Sequence, residues 1–329
     1  MNIREAAKRG RLEEVRQGLQ AEGAPSPDRL LAAATQDFHA IRKTSGHVDL
    51  VRLLLDEGAS AISENVYQAA RGGHAVMVDM LLENMESVDL HSAAAAGRTR
   101  RVESILKSAP DVCDLRDEEG KTALHYCCAS SLAKTDDTAS VRLRDVAERL
   151  IDAGCHTNAA ATCGGLEDVT PLTHICWTGG DMQLFELLLH RGAEATPRSL
   201  WAALGHFQRH GDGHYELAGR LLRLGLDINH NEWNQNGGRT LLHAFSAHED
   251  ELGVRWLLEH GADVHARDRD ECTPLHSAAG RNIGTKVLEQ LLAAGAVGDV
   301  EDDHGQTPID LARDKRRSKT VEFLELHGE

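Results

Sequence analysis

Nineteen histidines and seven cysteines are the side chains of this 329-residue sequence best suited to chemistry. His206, His210 and His214 fall at i, i+4 and i+8, which on one unbroken helix would place three imidazoles on a single face where they could hold a transition metal. Gly211 and Gly213 interrupt that stretch, so the sequence favours a polar loop between helices, and no metal or other cofactor is expected. Cys127 or Cys128 with His125 or His174 would supply the elements of a thiolate–imidazole nucleophile. Both cysteines, however, occupy small-residue positions that read as buried, where a thiol is inert. The cysteines are odd in number and irregular in spacing, which suits reduced thiols better than a disulfide framework or zinc knuckles. No glycine-rich phosphate loop, serine elbow or paired-carboxylate signature stands out.

Whatever these side chains do, helices must position them, and the sequence marks where helices begin. Thr122-Ala123-Leu124-His125, Thr170-Pro171-Leu172-Thr173, Thr240-Leu241-Leu242-His243, Thr273-Pro274-Leu275-His276 and Thr307-Pro308-Ile309-Asp310 recur as one element. A threonine hydroxyl can cap a helix by accepting an early N–H, and a proline in the first turn forfeits no bond. A second element is a leucine pair, two polar residues and a glycine, as in Leu257-Leu258-Glu259-His260-Gly261, and its glycine can close a helix in the left-handed conformation. Gly192, Gly225, Gly261 and Gly295 are separated by 33, 36 and 34 residues. Between the two signals Leu275, Ala278, Ala279, Val287, Leu288, Leu291 and Leu292 repeat at helical spacing, so each unit offers two antiparallel helices whose apolar faces need a neighbour.

With these paired motifs the sequence resembles the ankyrin-repeat family, whose period is ~33 residues. The resemblance implies an all-α ankyrin-repeat solenoid of about ten helix-pair units, with finger loops or short β-hairpins between units. It implies a single solenoid over 1–329, with an N-terminal cap over 1–23, divergent repeats over 24–112, typical repeats with insertions over 113–298 and a C-terminal cap over 299–329. It also implies that His125, His243 and His276 bond the motif threonine and nearby backbone. Against the ~33-residue period, extra residues lie around Ser130–Ser140, Thr35–Ser45 and His206–Gly213, and these polar stretches are expected to emerge from helix-to-helix turns. Asn229–Gly238 reads as a lengthened finger that carries Trp233. Aligned to the family, Trp177 takes a variable inner-helix position and Trp201 the place of the motif histidine. Glu118, Glu119, Glu167, Asp168, Arg239, Arg269, Asp270 and Arg281 take variable finger and inner-helix positions; with Trp177 and Trp233 they are the expected partner-binding residues.

A formal net charge of -16 disfavours nucleic acid, whose phosphates it would repel, and an acidic membrane surface alike. It favours a partner with a basic surface. Charges in Met1–Glu5 stand where a secretory signal needs an apolar run, and no apolar stretch approaches the ~20 residues of a membrane span, so an intracellular protein, cytoplasmic or nuclear, is expected. The expected function is that of a protein–protein interaction module or adaptor, a monomer that holds a protein or peptide in a concave groove and is not itself an enzyme. The alternative is a small-molecule-binding protein or an enzyme with its site on the concave face of the central repeats, motivated by the long fingers, tryptophans and surplus histidines there.

Overall fold

Thr273 and Thr307 accept the N–H groups of His276 (3.5 Å) and Asp310 (3.4 Å), and Pro274 and Pro308 follow at the first helical position, so two helices begin where the motif places them. Gly192, Gly225, Gly261 and Gly295 close helices with φ of 87°, 92°, 88° and 96°, a region open to glycine at little steric cost. A computed structural model of the chain describes residues 2–21, 23–35, 45–134, 136–178, 181–205, 214–231, 237–248, 250–281 and 284–327.

The chain divides into two units, Met1–Ala195 and Thr196–Glu329. The first holds six helix pairs: α1 Ile3–Lys8 with α2 Leu12–Leu19, α3 Pro27–Thr35 with α4 Ser45–Asp56, α5 Ser63–Arg71 with α6 Ala75–Glu83, α7 Leu90–Ala95 with α8 Thr99–Ser108, α9 Ala123–Cys128 with α10 Asp137–Asp152, and α11 Pro171–Thr178 with α12 Met182–His190. The second holds four: α13 Pro197–Gly205 with α14 Tyr215–Arg223, α15 Leu241–Ala247 with α16 Glu251–Glu259, α17 Pro274–Ala279 with α18 Lys286–Ala293, and α19 Pro308–Asp314 with α20 Ser318–His327. In each unit inner helices stack on inner helices, as α7 does on α5 and α9, and outer on outer, as α10 does on α8 and α12. Their interfaces are aliphatic: Ala69, Ala93, Ala94, Leu124, Leu143, Leu150 and Leu172 are fully buried. One short hairpin, β1 Ala161–Cys163 antiparallel to β2 Leu166–Val169, stands between α10 and α11. The fold is thus the all-α solenoid of helix pairs, ten of them among the described residues.

The motif histidines join successive pairs. His125 Nδ1 accepts the Thr122 N–H (3.0 Å), which leaves Nε2–H to donate to the Val169 carbonyl, just before the next motif threonine (3.0 Å). His243 repeats this with Thr240 and Cys272, and His276 with Thr273 and Gln306.

Two expectations need correction. The extra residues near Ser130 do not emerge as a polar loop: Ser130, Ser131 and Leu132 are buried, Leu132–Lys134 forms a 3-10 turn, and the Ser131 N–H reaches back to the Ala70 carbonyl of α5 (2.9 Å). That carbonyl, at the end of α5, also takes the Gly73 N–H (3.0 Å), and a carbonyl oxygen has a second lone pair with which to satisfy the buried Ser131 N–H. Trp201 does not take the motif histidine's place; Ser199 does, its hydroxyl facing the Thr196 N–H and hydroxyl (3.4 Å each), and the half-buried Trp201 lies two residues on. The expected excess at 36–44 and 206–213, with His206 and His210, lies outside the described residues, as does Trp233.

Candidate functional site

The finger before α9 is built by Asp117. Its Oδ1 accepts the N–H groups of Glu119 (3.0 Å) and Lys121 (2.8 Å), and its own N–H meets the Lys121 carbonyl (3.0 Å), closing a turn that carries Gly120 at φ 81°. The turn delivers the Lys121 side chain, 3% exposed, between α5 and α9. Its Nζ lies 4.2 Å from the Tyr67 ring centroid and 5.2 Å from that of Tyr126, and 2.9, 3.4 and 3.8 Å from carboxylate oxygens of Glu119, Asp117 and Glu64. Two ring faces and three carboxylates offset the loss of hydration that burial imposes on the ammonium. Burial works against the Lys121 charge, but Tyr67, Glu64, Glu119 and Asp117 outweigh it and hold the ammonium above the usual lysine range. Burial also works against the Asp117 charge, yet the Lys121 N–H, the Tyr126 hydroxyl (2.8 Å) and the Lys121 ammonium keep its carboxyl below the ordinary range. Burial pushes the Tyr67 phenol up to about 12, so it stays protonated.

From Lys121 the rings continue. Tyr67 and Tyr126 meet at 4.7 Å between centroids, His91 meets Tyr126 edge-on at 4.9 Å, and His174 stands edge-on to Tyr67 (6.4 Å) and His125 (5.7 Å). Trp177, one turn along α11, lies parallel to His174 at 6.4 Å, and the Arg71 guanidinium stands 5.3 Å from its ring centroid. Inner helices α5, α7, α9 and α11 thus share one aromatic and cationic seam.

Cys163 of β1 faces His174, Sγ to Nε2 at 3.5 Å. Burial pushes the thiol up to about 12, and burial with the nearby charges of Arg71 and Lys121 keeps His174 well below the imidazole range. The pair therefore rests as thiol and neutral imidazole, not as the ion pair that nucleophilic catalysis needs. Cys127 donates to the Leu143 carbonyl (3.2 Å), and burial lifts its thiol to about 12 as well. Among the described residues one group offers three potential metal ligands together, Asp302, Asp303 and His304 on an exposed finger, but Asp302 Oδ1 already accepts two backbone N–H groups (2.9 Å each).

Of the sequence-predicted residues in the first unit, Trp177 and Glu119 belong to this seam. Trp177 is 9% exposed, so it braces Arg71 and His174 instead of standing out as an anchor. Glu118, Glu167 and Asp168 are exposed on the adjoining finger and hairpin, which are tied by the Thr162 N–H to the Glu119 carbonyl (2.8 Å). In the second unit Arg239 pairs with buried Asp268 (3.1 Å), the Arg269 N–H binds the Gly237 carbonyl (2.7 Å), the Asp270 carbonyl accepts from Asp303 (3.1 Å), and Arg281 is exposed beyond α17. Tyr67, Arg71, Lys121, Tyr126, Cys163 and His174 were not singled out as partner contacts. Lys121 could have been found as the cation that closes the acidic run Asp117-Glu118-Glu119; nothing local marks Tyr67.

Two family models of ankyrin repeats match the chain, one of three copies over residues 200–296 and 254–328, the other of many copies over 90–131. The human protein Ankyrin repeat and SOCS box protein 16 is 29% identical over 291 residues, 82% of this chain and 57% of its own length. The Nuclear factor NF-kappa-B p105 subunit of Gallus gallus is 29% identical over 64% of this chain and 22% of its length, so the chain spans less than two thirds of these relatives. Among solved structures, the ankyrin repeat domain of human ASB11 matches with a TM-score of 0.53 and 24% identity, covering 72% of this chain and 97% of its own. That of Bcl-3 matches with 0.53 and 22% identity over 73% and 99%.

Proposed function

The chain belongs to the ankyrin-repeat family, whose repeats are generally protein–protein interaction modules, and from that premise we propose that the finger and inner-helix face around Lys121 holds a protein or peptide with a basic surface. The observation that carries the reading is the charge imbalance at that face. One lysine is shared among three carboxylates, and Glu64 and Glu119 keep 49% and 47% of their side chains in water, free to meet a second cation. Exposed Glu118, Glu167 and Asp168 extend the negative field, which would draw a basic partner in and fix its register. The rings beneath are already packed, so little side-chain freedom is lost on binding. No described helix is long and apolar enough to cross a membrane.

The test is a partner captured by the wild-type chain, identified, and titrated against Glu118→Lys plus Glu167→Lys. Both residues are exposed and neither pairs with Lys121, so the fold is retained, and affinity should fall by about tenfold or more, as like charges are brought together. Unchanged affinity would overturn the assignment of the face.

A further inference from the structure

Away from the Lys121 face, one cavity concentrates positive charge in a chain whose net charge is -16. It is an open cleft of about 560 Å³ among the outer helices of the first unit, bordered by Arg98, Arg100, Arg101 and Arg142, with Leu82 and Val88 as apolar wall. Three of the guanidinium groups are held in place: Arg98 by Asp79, Arg101 by the Val88 carbonyl (3.1 Å) and Arg142 by Asp136 (3.2 Å). Arg100 is exposed and pairs with no described residue. The first turn of the ten-residue α8 lines the same space, and its N-cap, Arg98, offers no side-chain acceptor to the open N–H groups there.

We propose that this cavity binds a phosphate monoester carried on a small apolar body such as an aromatic ring. Guanidinium forks match phosphate oxygens in pairs and cannot lose their charge at any accessible pH; Arg98 and Arg142 are offset by Asp79 and Asp136, so Arg100 and Arg101 leave the positive charge that favours a dianion over a neutral ligand. The volume falls in the range of ~300–1,000 Å³ that small-molecule sites occupy, and Leu82 and Val88 supply the surface against which an apolar body would pack. Asp79 and Glu83 on the same wall would repel a second phosphate, which sets a monoester above a polyphosphate. The cavity shares no residue with the Lys121 face, so neither reading depends on the other.

Isothermal titration of the full chain tests this with phenyl phosphate, inorganic phosphate and phenol as separate probes. Phenyl phosphate should saturate, inorganic phosphate should bind more weakly by about tenfold or more, and phenol should not bind. Arg100→Gln and Arg142→Gln should each weaken phenyl phosphate by about tenfold, while Lys107→Gln, on α8 but outside the cavity, should bind as the parent does. Arg100→Gln removes an exposed, unpaired side chain, so circular dichroism should show the fold unchanged. Heats that fail to saturate, equal affinity for inorganic phosphate, or arginine variants that bind like the parent would each overturn the site.

Discussion

Glu271 holds φ 55° at the finger position where Gly120 and Gly305 take 81° and 72°. The three fingers share one turn: Asp117, Asp268 and Asp302 each accept two backbone N–H groups on Oδ1, from the residues two and four places on. A side chain in the left-handed region costs roughly 1–2 kcal/mol, and glycine gives back about 0.5–1 kcal/mol through its freer unfolded chain. The exposed Arg267–Glu271 ion pair (3.0 Å) contributes little to either side. Glu271→Gly should therefore raise stability by about 0.5 kcal/mol, read as a higher urea midpoint, and a lower midpoint would contradict this account of the turn. Asp168 carries the same strain at φ 56°, beside the acidic finger residues that the binding proposal uses. Its residue type was visible in the sequence; the backbone angle was not, because a finger in which a side chain replaces the glycine of Gly120 and Gly305 looks like any polar loop.

At the scale of the helix pair, the histidine that accepts from its own threonine and donates to the following pair must be neutral to do both. An imidazole in the unfolded chain takes a proton near 6.5, whereas burial, aided by the Arg116 charge, holds His125 down to about 4 in the folded chain. Protons thus reach the unfolded state first: stability is full above the unfolded pKa, declines as pH falls below 6.5, and levels off only below about 4. His125 alone should account for about 2 kcal/mol lost between pH 7 and pH 5, and the depressed His243 and His276 act in the same direction. Urea titrations at the two pH values check it: His125→Gln should lose measurably less than wild type, and equal losses would sink the argument. The helix pairs themselves were legible because Thr-Pro-Leu-His and the glycine stop each carry a local mechanism. Divergent pairs such as α5 with α6 were legible through Gly73-His74 and the Leu81-Leu82 pair that follows. The burial of Ser130–Leu132 was not, since it depends on a second bond to the Ala70 carbonyl some 60 residues earlier.

Over the whole molecule, the net charge of -16 opposes compaction, and its repulsion is long-ranged at low ionic strength. Raising salt shortens the screening length from ~30 Å at about 10 mM to ~8 Å at about 150 mM, so the thermal midpoint should rise over that range. A flat or falling midpoint would mean that the surface ion pairs outweigh the repulsion. The candidate face was only half legible at this scale: composition and finger acids announced a negative surface, but the assembly of Tyr67, Tyr126, His174 and Trp177 around Lys121 required four successive helix pairs to be stacked in register. That stacking also bears on heredity. Each motif imidazole asks its successor for one main-chain oxygen and for no particular side chain, so a duplicated or transplanted repeat would be spliced in by its predecessor without compensating mutations. Gene segments of this kind can lengthen or shorten by whole repeats, and the variable fingers can diverge afterwards while the joints between neighbours stay intact.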